Sequence, residues 1–135
     1  MHLKTLGSEE HNRGDRWEVR FHPEFDVEFA GWAERAQDAA LAQLVKLRKF
    51  GPSLGRPSAD TLKGSDYPNM KELRVSADDG EWRIAFAFDP KRRAILLVGG
   101  NKSGVPKDRF YDALIRIADL RYRRHLERIS KEKTT

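Results

Sequence analysis

Residues 70–88, MKELRVSADDGEWRIAFAF, decide the fold. Residues 70–76 read as a strand and Ala77-Asp78-Asp79-Gly80 as a tight turn, because Asp-Gly tolerates the positive φ that hairpin turns need. Residues 81–88 form the clearest strand of the chain. Along it Trp82, Ile84, Phe86 and Phe88 point one way, and Glu81, Arg83, Ala85 and Ala87 the other. If Leu73 and Val75 face the same core, then Glu72, Arg74 and Ser76 lie with Arg83 on the opposite side.

Outward from this hairpin, Thr61-Leu62-Lys63 predicts a short strand before a turn over residues 64–69, and Asp89-Pro90-Lys91 turns the chain on the other flank. Residues 94–98, AILLV, are continuously apolar, which predicts a central strand covered on both faces. Gly99-Gly100 is expected to end it. Pro106 opens a last helix through Phe110, Leu114, Ile117 and Tyr122 to about Ile129. Upstream, Trp17, Val19 and Phe21 alternate with Glu18, Arg20 and His22 as a half-buried strand. Pro23 stops that strand. Phe25, Phe29, Trp32, Ala36, Ala40, Leu44 and Leu47 then recur three to four residues apart, an amphipathic stripe broken near residues 31–33 into a helical hairpin. Phe50-Gly51-Pro52 ends it, and residues 53–60 read as a loop. This order predicts one α+β domain over residues 16–130, with a flexible lead-in at 1–15 and a frayed end at 131–135.

The chain of 135 residues has no cysteine, which excludes disulfides and thiolate metal sites. No apolar run approaches the roughly 20 residues that cross a bilayer, and the first residues are polar, so a cytoplasmic protein away from membranes is expected. The net charge of +5 is uneven. Residues 1–62 carry nine Lys and Arg against ten Asp and Glu, residues 63–106 eight against six, and residues 107–135 nine against five. Such asymmetry points to a polyanion-facing side, or to a solvated helix face.

There is no phosphate-binding Gly-rich loop, nucleophile elbow or metal-ligand spacing, and no cofactor is expected. Glu9-Glu10-His11 resembles a metal fragment only superficially, and His125 reads as a solvated helix-end residue. What remains is the polar side of the hairpin. Arg74 and Arg83 share it, Lys102 follows the adjacent strand directly, and Arg109 and Tyr111 begin the last helix nearby. Each has a plainer reading. Arg74 pairs with Glu72 or Glu81, Arg83 does so across the hairpin, Lys102 is a loop residue, and Tyr111 packs in a stripe with Ile115, Ala118 and Tyr122.

The segments Phe50-Gly51-Pro52-Ser53-Leu54-Gly55-Arg56-Pro57, Thr61-Leu62-Lys63-Gly64 and Asn69-Met70-Lys71-Glu72-Leu73-Arg74 closely resemble HigB-like toxins, a phage-associated branch of the RelE/ParE superfamily. So do Trp82-Arg83-Ile84-Ala85-Phe86 and Ile95-Leu96-Leu97-Val98-Gly99-Gly100-Asn101-Lys102, and the likeness runs from about Trp17 to about Leu126. The resemblance implies an N-terminal strand and two helices beside a curved antiparallel sheet, with the C-terminal helix near its rim. It also implies a type II toxin that cleaves mRNA on the ribosome without metal. A helix-turn-helix antitoxin from an adjacent gene would silence it, in a complex that binds operator DNA. On this resemblance Arg74, Arg83, Lys102 and Tyr111 are the catalytic candidates, and Lys63, Lys71 and Arg109 the RNA-binding ones. Glu72 stands where RelE members have a lysine, and Lys71 beside it would face the core side unless a bulge intervenes. Free tyrosine titrates near 10, so Tyr111 serves as a base only if nearby cations lower it. Two other readings stand on the same scaffold: a ParE-like gyrase inhibitor, and an inactive nucleic-acid- or antitoxin-binding module.

Overall fold

In the computed structural model the described residues are 16–77 and 80–133. In chain order they form β1 (Glu18–Phe21), α1 (Pro23–Ala30), α2 (Glu34–Phe50), a single 3-10 turn (Gly51–Ser53), β2 (Ala59–Thr61), β3 (Lys71–Ala77), β4 (Gly80–Phe88), β5 (Arg93–Asn101) and α3 (Lys107–Lys133). The five strands make one sheet in the order β1-β5-β4-β3-β2. β2 to β5 are antiparallel neighbours, whereas β1 lies parallel to β5. The antiparallel sheet expected from sequence is thus β2 to β5, and the N-terminal strand expected beside it joins its edge in parallel, making the whole sheet mixed. β1 reaches its place through both N-terminal helices and the β2–β4 strands, and a connection of that length permits a parallel pair.

Alternation in β4 sorts the sheet into two faces. Leu73, Val75, Ile84, Phe86 and Leu96 pack with Phe25, Phe29, Leu44 and Leu47 of α1 and α2. Ala85, Ala87, Ile95, Leu97 and Val98 pack on the other face with Leu114, Ala118 and Tyr122 of α3. Burying each large apolar side chain contributes about 1.5–3 kcal/mol, so neither helical layer is dispensable. The alanines that share the side of Arg83, Ala85 and Ala87, are fully buried in the α3 core.

Several boundaries differ from the sequence reading. β2 lies at Ala59–Thr61, two residues before the expected strand, because its ladder is set by Leu73, Glu72 and Lys71 of β3. Asp78 and Asp79 of the predicted turn lie outside the described residues, but Ala77 pairs with Gly80 as a tight hairpin requires. Gly99 and Gly100 do not end β5, which continues to Asn101. They are points of close approach. A Cβ on Gly99 would lie 2.9 Å from the Trp32 ring and 3.0 Å from the Arg83 carbonyl, and one on Gly100 3.5 Å from Phe110. α3 runs past the expected end at Ile129 to Lys133, so residues 131–133, expected to fray, are helical. The Glu9-Glu10-His11 fragment and the lead-in over residues 1–15 lie outside the described residues. No helix among those described is long and apolar enough to cross a membrane.

The longer α3 corrects the reading of His125. It is 7% exposed, and its Nε2 lies 2.8 Å from Oδ2 of the buried Asp89 in the β4–β5 turn. Burial lowers the His125 pKa against the pull of Asp89. Burial raises the Asp89 pKa, but hydrogen bonds from Arg93 and His125 overcome that and hold it below the usual range. A second buried histidine, His22, caps α1 by accepting a hydrogen bond at Nδ1 from the Glu24 amide. On the far side of α1, the buried Arg121 of α3 donates to Glu28 and to the Leu97 carbonyl at 2.8 Å, tying α1, β5 and α3 together.

Burial, with Arg121 and Arg128 nearby, lowers the His22 pKa from 6.5 to about 4. The unfolded chain therefore binds this proton below about 6.5, whereas the folded chain takes it only near 4. Stability is expected to fall as pH drops through that window. His22→Asn keeps an N-cap oxygen but removes the titration. Thermal denaturation followed between pH 7 and pH 4 should show a shallower loss of Tm in this variant than in the parent. Gly99→Ala should destabilise by about 1–3 kcal/mol through overpacking. Because the Trp32 and Trp82 rings lie tilted against each other beside it, with centroids 4.3 Å apart, the near-ultraviolet circular dichroism should change as well.

Candidate functional site

The polar residues of the hairpin converge on a carboxylate that the sequence reading named only as an ion-pair partner of Arg74. Glu72 of β3 is 5% exposed. Its Oε1 accepts a 2.7 Å hydrogen bond from the Tyr111 hydroxyl, which α3 brings across the sheet. Its Oε2 accepts from Arg74 Nε at 3.2 Å. Arg83 Nε lies 3.8 Å from Glu72 Oε1, an ion-pair distance too long for a hydrogen bond. The two arginines stand directly opposite each other in the β3–β4 ladder, as period-two geometry requires.

Like charges placed opposite one another repel, and the surrounding acids answer that repulsion. Arg74 also lies 3.4 Å from Asp60 of β2, and Arg83 lies 3.5 Å from Glu81. Asp60 is held below the usual carboxylate range, chiefly by its hydrogen bond from Arg56. The face is thus not the plain cluster of cations that charge counting suggested. It alternates acids and bases, and the ion-pair reading of Arg74 and Arg83 describes the arrangement without substrate. One donor is left over. Arg83 Nε is buried and has no hydrogen-bond partner among the described residues.

Tyr111 departs from the sequence expectation in a specific way. Burial raises its pKa, the hydrogen bond and charge of Glu72 add to the rise, and Arg83 opposes only in part. The nearby cations do not lower it, so the phenol keeps its proton at neutral pH.

Of the remaining candidates, Lys102 sits at the rim beyond the Arg83–Gly100 pair, its amide bonded to the Glu81 carbonyl at 2.8 Å. Lys63 is exposed in the loop after β2. Lys71 lies on the other face, as alternation implied, and its Nζ is 3.4 Å from the Pro52 carbonyl. Arg109 is on another flank of α3, where it lines a hollow with Val98, Val105 and Ile117. The structure therefore brings together Arg74, Arg83 and Tyr111, adds Glu72, and leaves Lys71 and Arg109 elsewhere. Alternation already places Glu72 on the side of Arg74 and Arg83; its burial, which makes pairing necessary, comes from the approach of α3.

The profile of the phage-derived Gp49-like family (DUF891) matches residues 27–123. The chain belongs to this family. Two Mycobacterium tuberculosis relatives of the Gp49-like chain bear the names toxin HigB2 and toxin HigB3. The first is 40% identical over 104 residues, covering 76% of this chain and 51% of the relative. The second is 55% identical over 99 residues, covering 73% and 84%. The chain thus spans about half the length of one of these relatives and most of the other. A mutant of E. coli toxin RelE in the free state superposes with a TM-score of 0.51 at 9% identity, covering 74% of this chain and 94% of that one. That likeness shows a shared fold, and the sequence relatives set the Gp49-like chain among HigB-like proteins.

The Glu72–Tyr111 bond has a measurable consequence. Glu72→Gln removes a charge that raises the Tyr111 pKa, so the phenol should titrate at lower pH than in the parent. Labelling the tyrosine Cζ carbons and following their shifts with pH separates Tyr111 from Tyr67 and Tyr122; an unchanged Tyr111 midpoint would contradict the coupling.

Proposed function

We propose that this Gp49-like protein is the toxin of a type II toxin–antitoxin pair and that it cuts mRNA on the ribosome. The observation that carries this reading is the buried Glu72 carboxylate, in contact with Tyr111 and Arg74, beside an Arg83 Nε that lacks a partner. RNA contains its own nucleophile, the 2′-hydroxyl, so strand cleavage needs a base, an acid and positive charge around phosphorus, and no metal. In the proposed reaction Glu72 takes the 2′-hydroxyl proton as that oxygen bonds to the adjacent phosphorus. Arg83 and Arg74 turn from their carboxylate partners to the phosphoryl oxygens, where negative charge builds. As the bond from phosphorus to the 5′-oxygen breaks, Tyr111 gives that oxygen its proton and regains one from Glu72 across their hydrogen bond. The products are a 2′,3′-cyclic phosphate and a 5′-hydroxyl.

A tyrosine with a raised pKa is a reluctant acid, and the arginines begin the reaction paired. Both facts favour slow cleavage of free RNA and a need for the ribosome to orient the strand, since orientation alone removes much of such a barrier. Lys102 and Lys63 would meet flanking phosphates at the rim. The partner in the resting cell is a helix-turn-helix antitoxin from an adjacent gene, and the complex binds its own operator DNA.

Arg83→Ala and Arg74→Ala should each abolish growth arrest while leaving the fold and antitoxin binding intact. Glu72→Gln should slow single-turnover cleavage of ribosome-bound mRNA by about 10²–10⁴-fold, the usual contribution of a positioned base. Mapping 5′ ends of cellular RNA after induction checks the chemistry. Growth arrest retained in a folded Arg74→Ala/Arg83→Ala variant, or arrest with a DNA-damage response and no new RNA ends, would overturn the nuclease reading.

A further inference from the structure

The excess of positive charge in residues 107–135 is not absorbed by the Glu72 site, which draws only Tyr111 from α3. Much of it lies at the far end of that helix, where a pocket of about 290 Å³ opens between β1, the start of α1 and the last turns of α3. Arg20, His22, Pro23, Arg93, His125 and Arg128 are among its lining residues.

His22 sets the chemistry of this pocket. It is 3% exposed, and its Nδ1 accepts from the Glu24 amide. Burial and the neighbouring arginines hold its pKa at about 4, so at neutral pH the ring is uncharged and its one proton sits on Nε2. That Nε2–H donor is buried without a partner among the described residues. A buried donor left unsatisfied costs free energy that an acceptor in the pocket would recover. Pro23, which has no N–H, opens α1 beside it, and the Glu24 and Asp26 amides of that first turn are already bonded to His22.

The guanidinium groups differ in their freedom. Arg20 is paired with Glu18, and Arg93 with Asp89 at 2.8 Å, so both are held in place. Arg128 is exposed at the mouth. Glu132 also lines the pocket, and lies 3.3 Å from Lys91. An imidazole N–H from the β1–α1 junction and guanidinium N–H groups from β1, β5 and α3 approach from different elements. A tetrahedral group with several acceptor oxygens meets donors from several directions at once, which the two coplanar oxygens of a carboxylate do not.

We propose that this pocket binds a phosphate group, through His22 Nε2 and Arg128, at a site separate from the Glu72 face. The phosphate comes either from an RNA backbone or from free phosphate in solution.

The test uses the full chain with its histidine imidazoles labelled with ¹⁵N. The protein is titrated at pH 7 with inorganic phosphate and, separately, with a short 2′-O-methyl uridine oligonucleotide, which cannot be cleaved. Phosphate is expected to shift the His22 Nε2–H resonance saturably. Arg128→Gln, a change at an exposed position, should weaken that binding by about tenfold, the loss of one charge-assisted hydrogen bond. If the oligonucleotide shifts His22 at lower concentration than inorganic phosphate does, the RNA backbone is the source. If inorganic phosphate alone shifts it, the site takes free phosphate. A His22 resonance that moves with neither ligand, or that responds equally in the parent and in Arg128→Gln, overturns the proposal. Because Arg128 lies outside the Glu72 site, this outcome is independent of whether the protein cleaves RNA.

Discussion

β5 carries one more residue than β4 has partners for it. Ala85 pairs with Val98 and Phe86 with Leu96, so Leu97 is an extra residue in the ladder. A bulge of this kind resets alternation in the strand that contains it. Leu97 and Val98 consequently both lie in the α3 core, although they are neighbours in sequence. Beyond the bulge Gly99 is turned to Trp32 and Gly100 to Phe110. Without the extra residue these two positions would exchange faces. α3 would lose Val98, and Trp32 would no longer meet the backbone at Gly99. The two helical layers thus share one sheet because β5 changes phase part-way along its length.

That arrangement also governs the candidate site. Gly100 is the cross-strand partner of Arg83 and has no side chain to crowd the guanidinium. On the other flank of Arg83, β3 supplies Glu72 and Arg74. With α3 against Ala85 and Ala87, Tyr111 reaches the Glu72 carboxylate and helps to bury it. A carboxylate buried this deeply persists because each of its oxygens is engaged. The acids and bases are therefore interdependent: each arginine offsets the desolvation of Glu72, and Glu72 reduces the repulsion between arginines that face each other across the ladder. A phosphate entering between them would take over the role the carboxylates play in its absence.

Much of this was legible in the sequence because strand alternation is a local property. The placement of Arg74 and Arg83 on one face, the position of Lys71 on the other, and the buried stripe of the N-terminal helices all follow from the period of apolar residues. The parallel pairing of β1 was not legible, since it depends on a contact between residues more than 70 positions apart. The role of His125 was hidden for a similar reason. Its partner Asp89 is separated from it by β5 and most of α3, and only packing shows that the helix passes over the β4–β5 turn.

By itself the sequence determined the strands and helices, the two faces of the hairpin and the family, because propensity, alternation and residue order are carried along the chain. Tertiary structure decided which polar groups became a site. It made Glu72 the centre of the arginine face by bringing Tyr111 across the sheet. It made Ala85 and Ala87, which share the side of Arg83, a seat for α3. It buried His22 and His125 at the opposite end. Each outcome depends on what approaches from a distant part of the chain, and burial, which sets the cost of an unpaired charge or donor, exists only once those parts have met.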